Sequence, residues 1–222
     1  MRKLVLFDIG AMQLRLNYGK FFHYAESLSG RGAGELKKDY DKLESKYLAI
    51  GGKNASNEFI SGIKDVLHLR NDFPDEKIKN LVSHMWEGQI NEVIKMKTKI
   101  RDSGCYVGNF SNMSELGFEI LSKKYPEIFE GCYEYPSVYS CRIGKTKNDS
   151  EMYRKIKDFD NVILIDDNEA YIRKCSEFGW KGILFTPFID KSESIRSIHS
   201  STSETCNFIV ADSSEELEKY LK

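Results

Sequence analysis

Two apolar stretches of the chain end on acids, the first at Asp8 and the second at the pair Asp166 and Asp167. A third, strand-like stretch, CYVGNFS, ends on Ser111, which Asn112 follows. One acid at the end of a buried strand can simply cap the next helix, but polar endings on three strands favour a shared site. Carboxylates brought together raise one another's pKa values. A hard cation such as Mg²⁺, which commonly works with one or two carboxylates and a phosphate, relieves that repulsion.

Phosphoryl transfer is the chemistry that these residue types support. A carboxylate such as that of Asp8 can attack phosphorus and form an aspartyl-phosphate. The hydroxyl of Ser111 and the ammonium of Lys147 are groups that stabilise phosphoryl oxygens. We therefore expect a metal-assisted phosphoryl-transfer site built from Asp8, Ser111, Lys147 and the acid pair Asp166-Asp167.

The apolar pattern predicts a mostly parallel sheet covered by helices, which is an α/β fold. Strands are predicted at Lys3–Ile9, Cys105–Ser111, Asn161–Asp167, Gly182–Phe185 and 206–212, with short strands near Cys132–Tyr135 and Val138–Cys141. Two of the later helices are predicted to carry Met152, Tyr153 and Ile156, and Ile172, Cys175 and Phe178. Ligands of parallel sheets bind beyond the carboxyl ends of the strands. The candidate residues fall at such ends.

A helical block interrupts the sheet early. Between residues 15 and 89 apolar residues recur every three or four positions, as in amphipathic helices, and the last of these helices is predicted to reach Trp86. Gly51-Gly52 and Asn71–Pro74 break the block, and no strand is predicted between Arg15 and Gln89. The serine-rich stretch 190–205 is predicted to be a loop with a short helix. The predicted domains are a core at 1–14 and 90–222 with a helical insertion at 15–89.

Charge and composition exclude several protein classes. The 222 residues contain 33 Lys+Arg and 34 Asp+Glu, so the basic excess typical of a general nucleic-acid binder is absent. Five scattered cysteines without a CxxC pair argue against a zinc site and a disulfide framework. The amino-terminal apolar run is short and ends on Asp8, which argues against a signal peptide, and no stretch reaches membrane-spanning length. A cytoplasmic location is expected.

The quoted residues resemble the motifs of the haloacid dehalogenase (HAD) superfamily. LVLFDIGAM is similar to its first motif, GNFSN to its second, SCRIGKTKNDSEMY to the stretch around its third-motif lysine, and ILIDDNEA to its fourth. The resemblance covers essentially the whole chain and is nearest to the glucose-1-phosphatase-like branch. It implies a Rossmann-like HAD core with an inserted α-helical cap.

The resemblance also implies roles for individual residues. Asp8 is the implied nucleophile, and Ser111 and Asn112 are implied to bind phosphate. The register from Ser140 and Gly144 to Met152-Tyr153 puts the third-motif lysine at Lys147 and not at Lys145. Mg²⁺ is the implied cofactor. Asp167 is the implied direct ligand, and Asp166 is implied to support the metal site without binding the ion directly. Asp8 and the backbone carbonyl of Gly10 complete the implied metal set.

Gly10 departs from the pattern of most phosphatases in the family, which have an aspartate there as general acid and base. Tyr171 also departs, because it stands where the fourth motif often has asparagine. The resemblance implies that a glycine carbonyl can still serve the metal, whereas protonation of the leaving group loses its usual donor.

Three functions are compatible with these features. The first is a Mg²⁺-dependent phosphatase acting on a small phosphorylated metabolite, such as a sugar phosphate, with neither nucleic acid nor membrane as partner. The second is a dehalogenase, which in this family uses no metal and would not need the pair Asp166-Asp167. The third is a phosphate-binding or interaction protein with weakened chemistry, for which Gly10 is the main support. A two-component receiver and a dinucleotide enzyme fit less well, because the acid pair comes late in the chain and no GxGxxG follows the first strand.

Overall fold

A computed structural model describes residues 2–185 and 208–221 of the chain. Its strands are β1 (Lys3–Phe7), β2 (Leu14–Leu16), β3 (Trp86–Gln89), β4 (Tyr106–Ser111), β5 (Val138–Tyr139), β6 (Asn161–Asp166), β7 (Lys181–Phe185) and β8 (Ile209–Ala211). Its helices are α1 (Tyr18–Ser29), α2 (Ala33–Tyr47), α3 (Ala55–Val66), α4 (Asp75–Ser83), α5 (Asn91–Asp102), α6 (Glu115–Lys124), α7 (Pro126–Phe129), α8 (Ser140–Ile143), α9 (Ser150–Tyr153), α10 (Glu169–Ser176) and α11 (Ser214–Leu221).

Six parallel strands form the main sheet in the order β5-β4-β1-β6-β7-β8. Strand β1 is apolar throughout its centre because both faces of the sheet are covered by helices. Val5 and Phe7 pack with residues of α5 and α11 on one face, whereas Leu4 and Leu6 pack with residues of α10 on the other. The predicted α/β class is confirmed, with β1 in the middle of the sheet between β4 and β6.

Helices α1 to α4 have an apolar core of their own. Its aromatic centre comprises Phe21, Phe22, Tyr40, Tyr47 and Phe59. Leu116 of α6 joins this cluster, so the four helices rest on a helix of the sheet domain. The break predicted at Gly51-Gly52 falls between α2 and α3. The exact domain boundaries remain a prediction.

The prediction that no strand lies between Arg15 and Gln89 is wrong. Strands β2 and β3 pair antiparallel at the two places where the chain enters and leaves the four-helix segment. Trp86, predicted at the end of a helix, lies in β3. These strands have three and four residues and contain exposed positions, so they are too short to show a periodic apolar pattern.

Other predicted boundaries also differ from the structure. No strand forms at Cys132–Tyr135, where the chain turns after α7 with Gly131 at φ 68°. Strand β5 stops at Tyr139 because α8 begins at Ser140. Helices α9 and α10 end before Ile156 and Phe178. The loop predicted at 190–205 lies outside the described residues.

None of the helices formed by residues 2–185 and 208–221 combines the length and the apolar composition needed to cross a bilayer.

Candidate active site

The polar residues that follow β1, β4 and β6 converge at one edge of the sheet. Asp8 directly follows β1, Ser111 is the last residue of β4 and Asp166 is the last residue of β6. Because these neighbouring strands are parallel, their carboxyl ends meet. Carboxylate oxygens of Asp8, Asp166 and Asp167 all lie within 4.8 Å of one another.

Lys147 connects two of these carboxylates. Its side chain is only 1% exposed, and its Nζ lies 2.7 Å from Asp8 Oδ1 and 2.5 Å from Asp166 Oδ2. Burial alone would lower the pKa of Lys147, but the attraction of Asp166 and Asp8 outweighs it, and the pKa is raised. Lys145 points elsewhere, with its Nζ 3.7 Å from the exposed carboxylate of Glu151. The structure thus brings Lys147, and not Lys145, to the acids.

The two acids of the pair have different surroundings. Asp166 is fully buried, and each of its oxygens has a donor: Lys147 Nζ on Oδ2 and the Asn168 N–H, at 2.9 Å, on Oδ1. In the described part of the chain, no other residue donates a hydrogen bond to the Asp167 carboxyl group. Burial and the negative charge of Asp8 raise the pKa of Asp167 to about 6, with Lys147 opposing them. Asp167 therefore has the freer oxygens for a cation.

These donors fit a magnesium ion. Mg²⁺ takes oxygen ligands, usually one or two carboxylates together with waters and phosphate oxygens. Asp8 and Asp167 would hold the ion, because Lys147 and Asn168 already occupy both oxygens of Asp166. The sequence resemblance implies the same roles for Asp167 and Asp166. The ligand roles of Asp8 and Asp167 stay predictions.

Ser111 and Asn112 lie beside the acids. Ser111 is buried. Among the described residues, the only hydrogen bond of its hydroxyl is a long one of 3.4 Å to the carbonyl of Asn112. The Asn112 Oδ1 accepts from the Lys147 backbone N–H at 2.8 Å, and its Nδ2 donates to the Tyr171 hydroxyl at 3.2 Å. Asn112 thus holds the Lys147 loop in place, and direct contact of Ser111 and Asn112 with phosphate stays a prediction.

Gly10 lies in the turn after Asp8. Its backbone is outside the left-handed region, and a Cβ added there would meet only Leu16 Cδ1, at an ordinary 3.6 Å. The Gly10 carbonyl accepts from the Met12 N–H at 2.6 Å, which leaves its second lone pair for the predicted metal contact. Neither the backbone conformation nor the space for a Cβ therefore requires a glycine at this position.

Tyr171 is a site residue that sequence reasoning noted only as a departure from a motif. Its ring lies over Lys147, with the Nζ 5.2 Å from the ring centroid. The sequence position of Tyr171 could have indicated its place in the site. It comes four residues after Asp167, about one helical turn, on the helix that follows the end of β6. Three further polar residues beneath Asp8, namely Gln13, Lys97 and Asn109, were missed entirely.

Comparison with known proteins identifies the fold. Neither a scan against protein-family models nor a search of curated proteins gives a match. A HAD family enzyme from Bacteroides thetaiotaomicron, solved with magnesium and inorganic phosphate, superposes with a TM-score of 0.69 at 17% identity over 86% of this chain and 98% of that one. A predicted HAD-like family hydrolase from Porphyromonas gingivalis gives 0.64 at 14% identity, over 82% of this chain and 89% of that one.

A second kind of neighbour is a dehalogenase. The L-2-haloacid dehalogenase from Xanthobacter autotrophicus, with chloropropionic acid covalently bound, superposes with a TM-score of 0.60 at 13% identity over 100% of this chain and 98% of that one. At such identities the likeness shows a shared fold. The sheet and its flanking helices share the fold of these enzymes.

Proposed function

We propose that this protein is a Mg²⁺-dependent phosphatase of the HAD type that hydrolyses a small phosphorylated metabolite. One observation carries the proposal: a buried lysine, Lys147, joins Asp8 to Asp166 at the edge of the sheet where Asp167 also lies. A lone nucleophilic carboxylate would not need a second and a third acid beside it. A site for a cation and a phosphoryl group does need them.

In the proposed reaction, a carboxylate oxygen of Asp8 attacks phosphorus while the bond from phosphorus to the leaving oxygen breaks. The phosphoryl group is then an acyl phosphate on Asp8, which water hydrolyses to release inorganic phosphate. The ammonium of Lys147 offsets charge on Asp8 and on the phosphoryl oxygens, and the hydroxyl of Ser111 donates to one of those oxygens. A bound Mg²⁺ would supply further positive charge to the same oxygens.

The four-helix segment α1–α4 is proposed to act as a cap that selects the substrate. The segment follows the turn after Asp8. Strands β2 and β3, through which the chain enters and leaves the segment, pair with each other. With a balance of 33 basic to 34 acidic residues, neither nucleic acid nor a membrane surface is a proposed partner, and a cytoplasmic location is proposed.

The second candidate is a dehalogenase, favoured by the superposition with the Xanthobacter enzyme over the whole chain. The clustered Asp166 and Asp167 argue against it, because a carboxylate that attacks carbon in a metal-free site gains nothing from two more acids beside it. A phosphate-binding protein without turnover is the third candidate, and the absence of an acid side chain at Gly10 is what favours it.

One set of assays separates these candidates. Phosphate release is measured over many phosphorylated metabolites with Mg²⁺ and with EDTA, and halide release is measured over 2-haloacids. We expect Mg²⁺-dependent phosphate release that Asp8→Asn abolishes while the circular dichroism spectrum is unchanged. Halide release without metal would replace the proposal by the dehalogenase. Phosphate binding without any turnover would replace it by the binding protein.

A further inference from the structure

Lys97 of α5 is a buried cation without an acidic partner. The residue is only 5% exposed, and no carboxylate among residues 2–185 and 208–221 forms an ion pair with it. Burial lowers the pKa of Lys97 to about 8, with the neighbouring Cys132 side chain opposing this shift, so the ammonium form still predominates at pH 7. Buried charges are normally paired, because an unpaired one loses its hydration without compensation. Lys97 must obtain its compensation from neutral groups.

Three neutral oxygens surround the ammonium. The Nζ of Lys97 donates to Gln13 Oε1 at 3.1 Å, to Asn109 Oδ1 at 2.7 Å and to the Ile128 carbonyl at 2.6 Å. An ammonium has three donors and no acceptor. Lys97 therefore fixes the orientation of both amides, since each must turn its oxygen, and not its nitrogen, toward the Nζ.

The fixed orientation of Gln13 acts directly on the nucleophile. With Oε1 facing Lys97, the Nε2 of Gln13 donates to the main-chain carbonyl of Asp8 at 2.8 Å and to Asn109 Oδ1 at 3.0 Å. The Asp8 N–H donates to the Ile165 carbonyl at 3.0 Å. Both main-chain polar groups of Asp8 are thus held, one by the neighbouring strand and one by Gln13.

The hydrogen bonds among Lys97, Gln13 and Asn109 also hold the strand that carries Ser111. Asn109 lies two residues before Ser111 on β4 and is paired in register with Phe7, the residue before Asp8. The Nδ2 of Asn109 donates to the Tyr139 hydroxyl at 3.0 Å, which extends the network to β5. Gln13 and Asn109 are both completely buried, so water does not compete for these bonds.

We propose that Lys97 is a positioning residue that, through Gln13 and Asn109, fixes Asp8 relative to Ser111. The inference rests on the proposed function, because it assigns Asp8 and Ser111 to one reaction. Lys97 itself contacts neither the carboxylate of Asp8 nor the hydroxyl of Ser111. Its contribution is geometric: a misplacement of about 1 Å at a reacting group can reduce turnover roughly 10²-fold.

The test uses Lys97→Met, which keeps an unbranched side chain but removes all three donors, and Gln13→Met, which removes the bond to the Asp8 carbonyl. Each variant is expected to lower kcat for 4-nitrophenyl phosphate about 10- to 100-fold, with KM changed less than about threefold. The double variant is expected to be no slower than the slower single variant, because both substitutions release the same bond. Lys64→Met is the matched control, since Lys64 is equally buried but pairs with Asp75 in the four-helix segment.

A lowered melting temperature with kcat within twofold of wild type in both single variants would overturn the proposal, because Lys97 would then be only structural. Fully additive losses of kcat in the double variant would also overturn it. Gln13→Met keeps the test usable if Lys97→Met does not fold, because Lys97 retains two of its acceptors there.

Hydrogen exchange measured by mass spectrometry separates this inference from the proposed function. The amides of residues 9–14 are expected to exchange faster in Lys97→Met than in wild type and in Lys64→Met. This result is expected even if no phosphate ester is ever hydrolysed, in which case the proposed function fails and the positioning role stands. Unchanged exchange at 9–14 would contradict the positioning role whatever the activity.

Discussion

Protonation of the leaving group is the chemical step for which the residues around Asp8 offer no carboxyl donor at the expected place. In the family whose motifs the sequence resembles, most phosphatases have an acid at the position of Gly10, and the structure has room for a Cβ there. A nitrophenolate leaves without a proton, whereas a sugar alkoxide needs one. General acid–base help is worth roughly 10²- to 10⁴-fold. Wild type should therefore cleave aryl phosphates far better than ordinary sugar phosphates.

The variant Gly10→Asp tests this directly. We expect it to raise kcat/KM for an ordinary sugar phosphate by about tenfold or more, within the roughly 10²- to 10⁴-fold range of acid–base help, and to change that for 4-nitrophenyl phosphate much less. Gly10→Asn is the matched control, since it has nearly the same size without the acid. Equal rates of wild type on both substrate classes would show that another group supplies the proton.

Tyr171, which lies next to Asn112 and Lys147, is expected to donate a hydrogen bond to the substrate. Its hydroxyl accepts from Asn112, and in the described part of the chain no acceptor takes its own hydrogen. Burial raises the pKa of Tyr171, so the hydroxyl is protonated at neutral pH. A net hydrogen bond of about 0.5–1.5 kcal/mol corresponds to roughly 2- to 10-fold in binding. Tyr171→Phe should weaken inhibition by inorganic phosphate by that factor.

The control for Tyr171→Phe is Tyr153→Phe. The buried Tyr153 hydroxyl has no hydrogen-bond partner among the described residues, so its removal should leave phosphate inhibition unchanged and should not reduce stability. Equal inhibition of wild type and Tyr171→Phe would show that the Tyr171 hydroxyl does not donate a hydrogen bond to phosphate.

At the scale of secondary-structure elements, the loop between α2 and α3 packs closely against α8. A Cβ added at Gly51 would lie 1.9 Å from the Cys141 carbonyl oxygen, so any side chain must push the loop away. This contact borders an open groove between the α2–α3 loop and the residues around α8. Overpacking typically costs about 1–3 kcal/mol. At about 2–4 °C per kcal/mol for a chain of this size, Gly51→Ala should lower the melting temperature by roughly 2–12 °C.

Gly34→Ala is the matched control for this prediction. Gly34 lies inside α2 with no atom within 4 Å of an added Cβ, and alanine is the better helix former by about 1 kcal/mol. Its melting temperature should therefore stay level or rise. A Gly51→Ala protein as stable as wild type would mean that the α2–α3 loop moves away from α8 at no cost.

Elements that are buried on both faces could be predicted from the sequence, because their signal is the apolar run itself. Strands β1, β6 and β7 have such runs. The pair β2 and β3 has no such run, since its stability comes from pairing between residues about seventy positions apart. The acids and Lys147 could be predicted because each is a polar residue of a recognisable motif. The role of Lys97 could not be predicted, because a single lysine on an amphipathic helix is normally exposed to solvent. Only the fold shows that this one is buried.

At the scale of the whole molecule, metal binding and folding stability should be linked through Asp167. The pKa of Asp167 is raised to about 6, above the ordinary carboxyl value of 3.8, so the folded metal-free protein binds this proton more tightly than the unfolded chain does. Folding stability of the metal-free protein therefore falls as pH rises from about 4 to 6, as far as this group contributes. Above pH 6 the carboxylate is charged and costs stability unless a cation replaces the proton.

Magnesium should accordingly stabilise the protein in a pH-dependent manner. A ligand at 100 times its dissociation constant adds about 2.7 kcal/mol, which at about 2–4 °C per kcal/mol gives a rise of roughly 5–11 °C in melting temperature at pH 7.5. At pH 5 the proton, bound with a pKa of about 6, competes with the ion and weakens its apparent affinity about tenfold, so the rise should shrink to about half. Asp167→Asn should abolish the rise and should weaken the metal-free pH dependence between 4 and 6, to which Asp166 and Glu44, whose pKa values are also raised, still contribute. Glu151→Gln, which removes an exposed acid paired with Lys145, should change neither. The measurement is a thermal melt with Mg²⁺ and with EDTA at both pH values, and a Mg²⁺ effect of equal size in Asp167→Asn would place the ion on other ligands.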